Sequence, residues 1–179
     1  MKYFILVILL LASFASEAVL MRPSKNHDEG MNIVDYGWMV VHPNIVLSVS
    51  MSEEAEKFFS KERTKKYFGL KMRNFVNRAK LVESSNENTN FMQLKIQLQN
   101  YNDKLEIYYG VMSLATEAAV DYGCSRPHAL TLSLAGSKRQ IEEEIKKNID
   151  LFVEVYAEDF YYVEDLMKAA LEKQKSSSN

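Results

Sequence analysis

Three histidines, one cysteine and a wealth of carboxylates are the side chains in this 179-residue chain that could do chemistry, and their spacing argues against it. His27, His42 and His128 lie far apart, with no His-x-x-x-His pair and no Glu-x-x-His on an expected helix, so no metal centre is predicted. There is no nucleophile elbow, Gly-rich phosphate loop or calcium loop. The carboxylates from Glu142 to Glu172 fall on the polar side of an amphipathic segment, where solubility accounts for them. The expectation is a protein that is not an enzyme and carries no cofactor. Nucleic acid is not among its expected partners.

Cys124 is the only cysteine, so no intrachain disulfide staples the fold. It can be a small buried hydrophobe, a free thiol or one half of an interchain disulfide.

The aromatic residues give a sharper reading. Tyr101, Tyr108, Tyr109, Met112 and Tyr122 fall along one apolar segment, and Phe152, Tyr156 and Phe160 along another. If both are helices packed antiparallel, these side chains meet inside a bundle. Buried phenols need hydrogen-bond partners, because an unpaired one costs about 1–3 kcal/mol. Ordinary packing with hydroxyls at the bundle's edge meets that need. So does a cavity for a lipid or other small apolar ligand. Lys57, Lys61, Lys65 and Lys66 form a basic stripe with a weaker reading, anion binding against a solvated face.

The elements that would position these residues follow from pattern. Residues 1–18 read as a signal peptide: Lys2, then the apolar run Tyr3–Ala12, then small residues before a cut near Ala18. The run is shorter than the ~20 residues needed to span a bilayer, so no transmembrane segment is expected after cleavage. Residues 19–50 form an N-terminal arm. It is polar to Gly30 and then apolar and β-branched, read as packed extended chain or short helical turns anchored by Trp38.

Residues 51–175 are predicted to be an antiparallel bundle of three long helices. The first starts at the capping box Ser50-Met51-Ser52-Glu53 and runs to about Val82, either unbroken or split at Gly69. The second carries a three-four stripe: Phe91, Leu94, Leu98, Tyr101, Leu105, Tyr108, Met112, Ala115, Ala119 and Tyr122. It would end at Gly123, with Pro127 beyond. The third starts at Ser137 with Gln140 in the capping-box position. Its stripe is Ile141, Ile145, Ile149, Phe152, Tyr156, Phe160, Val163, Met167 and Ala170. Residues 176–179 are a polar tail.

Taken together, the chain reads as an all-α secreted module that binds another extracellular protein or associates with itself as a homodimer through a coiled-coil stripe. The alternative is an extracellular carrier of a small apolar ligand.

Overall fold

The computed structural model of the chain describes residues 21–86, 88–102, 104–118 and 126–177. The centre of the described residues is a five-stranded mixed sheet, which overturns the all-α bundle and the coiled coil. The strands are β1 (Asn44–Met51), β2 (Lys80–Val82), β3 (Thr89–Asn102), β4 (Ile107–Glu117) and β5 (His128–Ser137). Their order across the sheet is β2-β1-β3-β4-β5. β1 is parallel to both β2 and β3, whereas β3-β4 and β4-β5 are antiparallel.

Five helices accompany the sheet among the described residues: α1 (Glu29–Tyr36), α2 (Trp38–Val41), α3 (Glu53–Glu56), α4 (Lys61–Phe75) and the 40-residue α5 (Lys138–Ser177). At 1.5 Å per residue α5 is about 60 Å long. It packs on β4 and β5 and meets α1, α2 and α4, while α3 lies on β3 and α4 on β1. Among the described residues no helix is long and apolar enough to cross a membrane.

The second predicted helix is the β3-β4 hairpin, and the reason is visible in the residues its helical stripe skips. Met92, Leu94, Ile96 and Leu98 are buried and alternate with exposed Gln93, Lys95, Gln97 and Gln99. That period of two places one whole set on the core side. The three-four stripe shares Leu94 and Leu98 with this alternation and omits Met92 and Ile96. The turn is written in Asn102, whose side-chain carbonyl accepts from the backbone N–H of Lys104 (3.0 Å) and Leu105 (3.1 Å). Glu106 follows with a φ of 47°, the left-handed conformation.

The second half of the predicted second helix is strand β4. Tyr108, Met112 and Leu114 point into the core, and Tyr109 and Val111 point out. Between the predicted second and third helices lies β5, in which Leu130 and Leu134 are buried.

The first predicted helix breaks in two. Ser52 caps α3, accepting from Ala55 N–H (3.3 Å), and also ties down β3 by donating to the Leu98 carbonyl (3.1 Å) and accepting its N–H (3.0 Å). Ser60 caps α4 separately. α4 runs through Gly69 without a break and ends at Phe75, and the next apolar residues feed β2.

The long last helix is as its pattern predicts. Ser137 donates from both its backbone N–H and its hydroxyl to Gln140, and Ile141, Ile145, Ile149, Phe152, Tyr156, Phe160 and Val163 are all fully buried. The last two stripe positions leave the core, Met167 half-buried and Ala170 exposed. Residues 29–51 contain α1, α2 and the parallel strand β1. Trp38 is 4% exposed there, its indole N–H shared between the carbonyls of Asp35 (2.9 Å) and Arg126 (3.2 Å).

Candidate functional site

All helices that touch the sheet do so on the side of Leu47, Leu94 and Met112, so among the described residues the opposite side is uncovered. Strand register maps that open face. Across one end run Val82, Val46, Phe91 and Glu117; next come Ser48, Gln93, Ala115 and Ala129; then Ser50, Lys95, Ser113 and Thr131. Beyond these lie Gln97, Val111 and Ser133, and then Gln99, Tyr109 and Ala135.

The charges on this face are Lys95, Glu117 and, one row beyond Val82, Lys80, and exposed apolar groups lie towards its two ends. Phe91 is 46% exposed, and at the far end Tyr101, Tyr109 and Val111 are 74, 48 and 42% exposed. Tyr101 and Tyr109 meet edge to face with ring centroids 6.0 Å apart, and the Tyr109 hydroxyl donates to Gln99 Oε1 at 2.7 Å. These contacts fix the aromatic pair on the surface. Exposed aromatic and aliphatic side chains clustered on a flat sheet are what protein-binding surfaces offer.

A second grouping is buried at the start of β5. His128 is fully buried, with Nε2 2.8 Å from Asp159 Oδ2 on α5. Arg22 grips the same carboxylate twice, Nη2 to Oδ1 at 2.7 Å and Nε to Oδ2 at 2.9 Å. Burial lowers the Arg22 pKa and the hydrogen bonds and charge of Asp159 raise it by more, leaving the guanidinium more firmly protonated than usual. The ring of His128 also stands edge-on to Tyr156, with centroids 5.3 Å apart. Burial pushes the Tyr156 phenol well above its usual value, so it stays neutral.

A His-Asp pair invites a catalytic reading, but this one is sealed from solvent and its carboxylate is shared with an arginine. The arrangement pins the residues before α1 to β5 and α5: Met21 and Ala129 exchange two backbone hydrogen bonds of 3.0 and 2.8 Å beside it. The sequence reading discounted His128 for lack of a neighbour at helical spacing. Its partner is 31 residues away, and no local signal announces that pairing.

The residues singled out from sequence divide between the two sides of the sheet. Tyr108 and Met112 on β4 share one core with Phe152, Tyr156 and Phe160. Tyr101 and Tyr109 lie on the open face, on the far side of the sheet. Tyr122 and Cys124 fall outside the described residues, as does the expected signal peptide, residues 1–18.

Of the basic residues, Lys57 lies between α3 and α4, paired with Glu54, and does not share a helix face with the others. Lys61 pairs with Glu56 at 2.7 Å, while Lys65 and Lys66 are exposed on α4 with no ion pair among the described residues. No group of side chains among the described residues could hold a metal ion.

No protein-family model and no curated protein matches the chain. Among solved structures it is distantly similar to a PelC dodecamer from Paraburkholderia phytofirmans (8% identity, TM-score 0.46, 64% of this chain and 85% of that one). It is also similar to a putative neuraminyllactose-binding hemagglutinin homolog from Helicobacter pylori (10%, 0.43, 72% and 89%). A third is a minor lipoprotein from Acinetobacter baumannii (12%, 0.36, 66% and 91%). At these scores the likenesses do not speak to what this chain does.

Proposed function

We propose that the chain is an exported, non-enzymatic binding module that presents the open face of its sheet to another protein. The observation that carries this reading is the pairing of a sheet face uncovered among the described residues with exposed apolar residues at both of its ends, Phe91 at one and Tyr101, Tyr109 and Val111 at the other. Residues of that size left in water on a flat surface gain by burial, at roughly 25 cal/mol per Å² of apolar area. Among the described residues the helices that touch the sheet lie on its other side, over Leu47, Leu94 and Met112, and none covers this face. The carrier reading has no comparable support, because Met112, Phe152, Tyr156 and Phe160 are fully buried in one packed cluster.

The test is site-specific photocrosslinking of the protein in the organism that makes it, with a benzoylphenylalanine at Val111 or, as control, at the exposed Leu151 of α5. Discrete adducts from position 111 and none from 151 are expected. Adducts from 151 alone would refute the assignment to the open face. An adduct of twice the chain's mass would identify the partner as a second copy.

A further inference from the structure

The sheet has a second uncovered feature, at its β2 edge. β2 is three residues long and pairs with β1 only at Asn44, Ile45 and Val46. From Leu47 to Met51 the outer edge of β1 has no strand beside it among the described residues. A groove of about 340 Å³ runs along that stretch, with Leu47, Ser48 and Val49 on one side and Lys61, Glu62 and Lys65 at the start of α4 on the other.

Such an edge offers a row of backbone donors and acceptors at strand spacing, the template on which an extended peptide adds. Five residues of β1 span about 17 Å, enough for a segment of four or five residues. Groove volumes of this size are at the small end of those that hold ligands, ~300–1,000 Å³.

The charges around the groove select the occupant. Lys65 on its wall has no ion pair among the described residues. Lys95, paired in register with Ser50 on the neighbouring strand, is exposed and likewise without one. Lys61 adds a third cation, held by Glu56, and Glu62 is the single acid on the groove's wall. A strand laid along Leu47–Met51 would bring its side chains within reach of Lys65 on one side and Lys95 on the other.

We infer that the unpaired edge of β1 is a docking groove for an extended acidic peptide segment of another protein, which adds to the sheet as a further strand. The inference does not rest on the open-face reading, because its hydrogen bonds are made in the plane of the sheet; the two surfaces share Ser48, Ser50 and Lys95.

The probe is a fluorescein-labelled peptide of about eight residues alternating valine and glutamate. It is compared with its valine-lysine counterpart and with a version N-methylated at every second amide. Fluorescence anisotropy should give saturable binding of the acidic peptide in the micromolar range, with the lysine peptide and the N-methylated peptide each at least about tenfold weaker. The exposed pair Lys65→Glu and Lys95→Glu should also weaken binding about tenfold or more, with the far-UV dichroism unchanged. Bound peptide should slow amide exchange within Leu47–Met51. A Tyr109→Ser, Val111→Ser protein should bind the peptide unchanged, which separates this groove from the open face.

Absence of saturable binding up to about 1 mM, affinity indifferent to N-methylation, or exchange protection away from β1 would each overturn the inference.

Discussion

Asp159→Asn tests how the start of the described chain is fixed to the fold. The substitution keeps the side chain's volume and removes its charge. The carboxylate is 3% exposed and holds Arg22 through two bonds of 2.7 and 2.9 Å and His128 through one of 2.8 Å. Breaking a buried pair by neutralising one member costs about 3–5 kcal/mol, because the other charge is left without compensation. The Arg22 side chain is 27% exposed, so its guanidinium can recover part of its hydration. That favours the lower end, about 3 kcal/mol. For a chain of this size each kcal/mol moves Tm by about 2–4 °C, so a fall of roughly 6–12 °C is expected.

The assay is urea unfolding followed by fluorescence of Trp38, the only tryptophan, which is buried close to this cluster and bonded to Arg126 and Asp35. Arg22→Met should be costly for the mirror-image reason, leaving Asp159 charged and buried. The double variant should then lose less than the sum of the singles, by at least about 1 kcal/mol. A stability change under about 0.5 kcal/mol for Asp159→Asn, or strict additivity in the cycle, would refute the view that this cluster is a structural anchor.

Three further outcomes are expected. Gly110→Ala should cost more than about 4 kcal/mol and deplete soluble protein, because an added Cβ would meet the Gln97 carbonyl oxygen at 1.9 Å and backbone atoms at 2.9 Å; the check is the same urea titration. Ile96→Asp should unfold the protein, whereas Gln97→Asp, one residue along on the open face, should change stability by no more than about 0.5 kcal/mol; equal effects would disprove the strand register. The bonds of Lys146, with a smaller contribution from Arg63, hold the Glu142 carboxyl below its usual value. Its stabilising contribution is thus complete at neutral pH and is lost as pH falls through the lowered folded-state value, so Glu142→Gln should flatten the acid limb of the stability-pH curve.

What could be read along the chain was whatever depends on neighbours a few residues apart. The capping pair Ser137 and Gln140 and the regular stripe Ile141 to Val163 specify α5, since a 40-residue amphipathic helix satisfies its own backbone and needs only a surface to lie on. The capping box at Ser50 and Glu53 marks a helix start two residues from the true cap, Ser52, whereas Ser60, the cap of α4, stands in what reads as the middle of a helix. The aromatic residues are legible in the sequence as the chain's main apolar resource. Which of them are core and which are surface could not be read, because it depends on whether their segments are helical or extended.

That choice was made by tertiary structure. Thr89–Asn102 carries both a three-four stripe and a two-residue alternation, and only the presence of β1 and β4 on either side makes the alternation win. A strand cannot satisfy its backbone alone, so its stability is invisible until its partners are placed, and each of those partners was hidden by the same ambiguity. Once the sheet forms, Tyr108 and Tyr109 separate to opposite sides by pleat alone, and the open face comes into being. His128 and Asp159 meet across 31 residues for a similar reason: β5 and α5 are consecutive, and folding the helix back over the strand brings the two into contact. Sequence determined a long helix, its caps and an apolar surplus; the pairing of strands decided where that surplus is buried and where it is displayed.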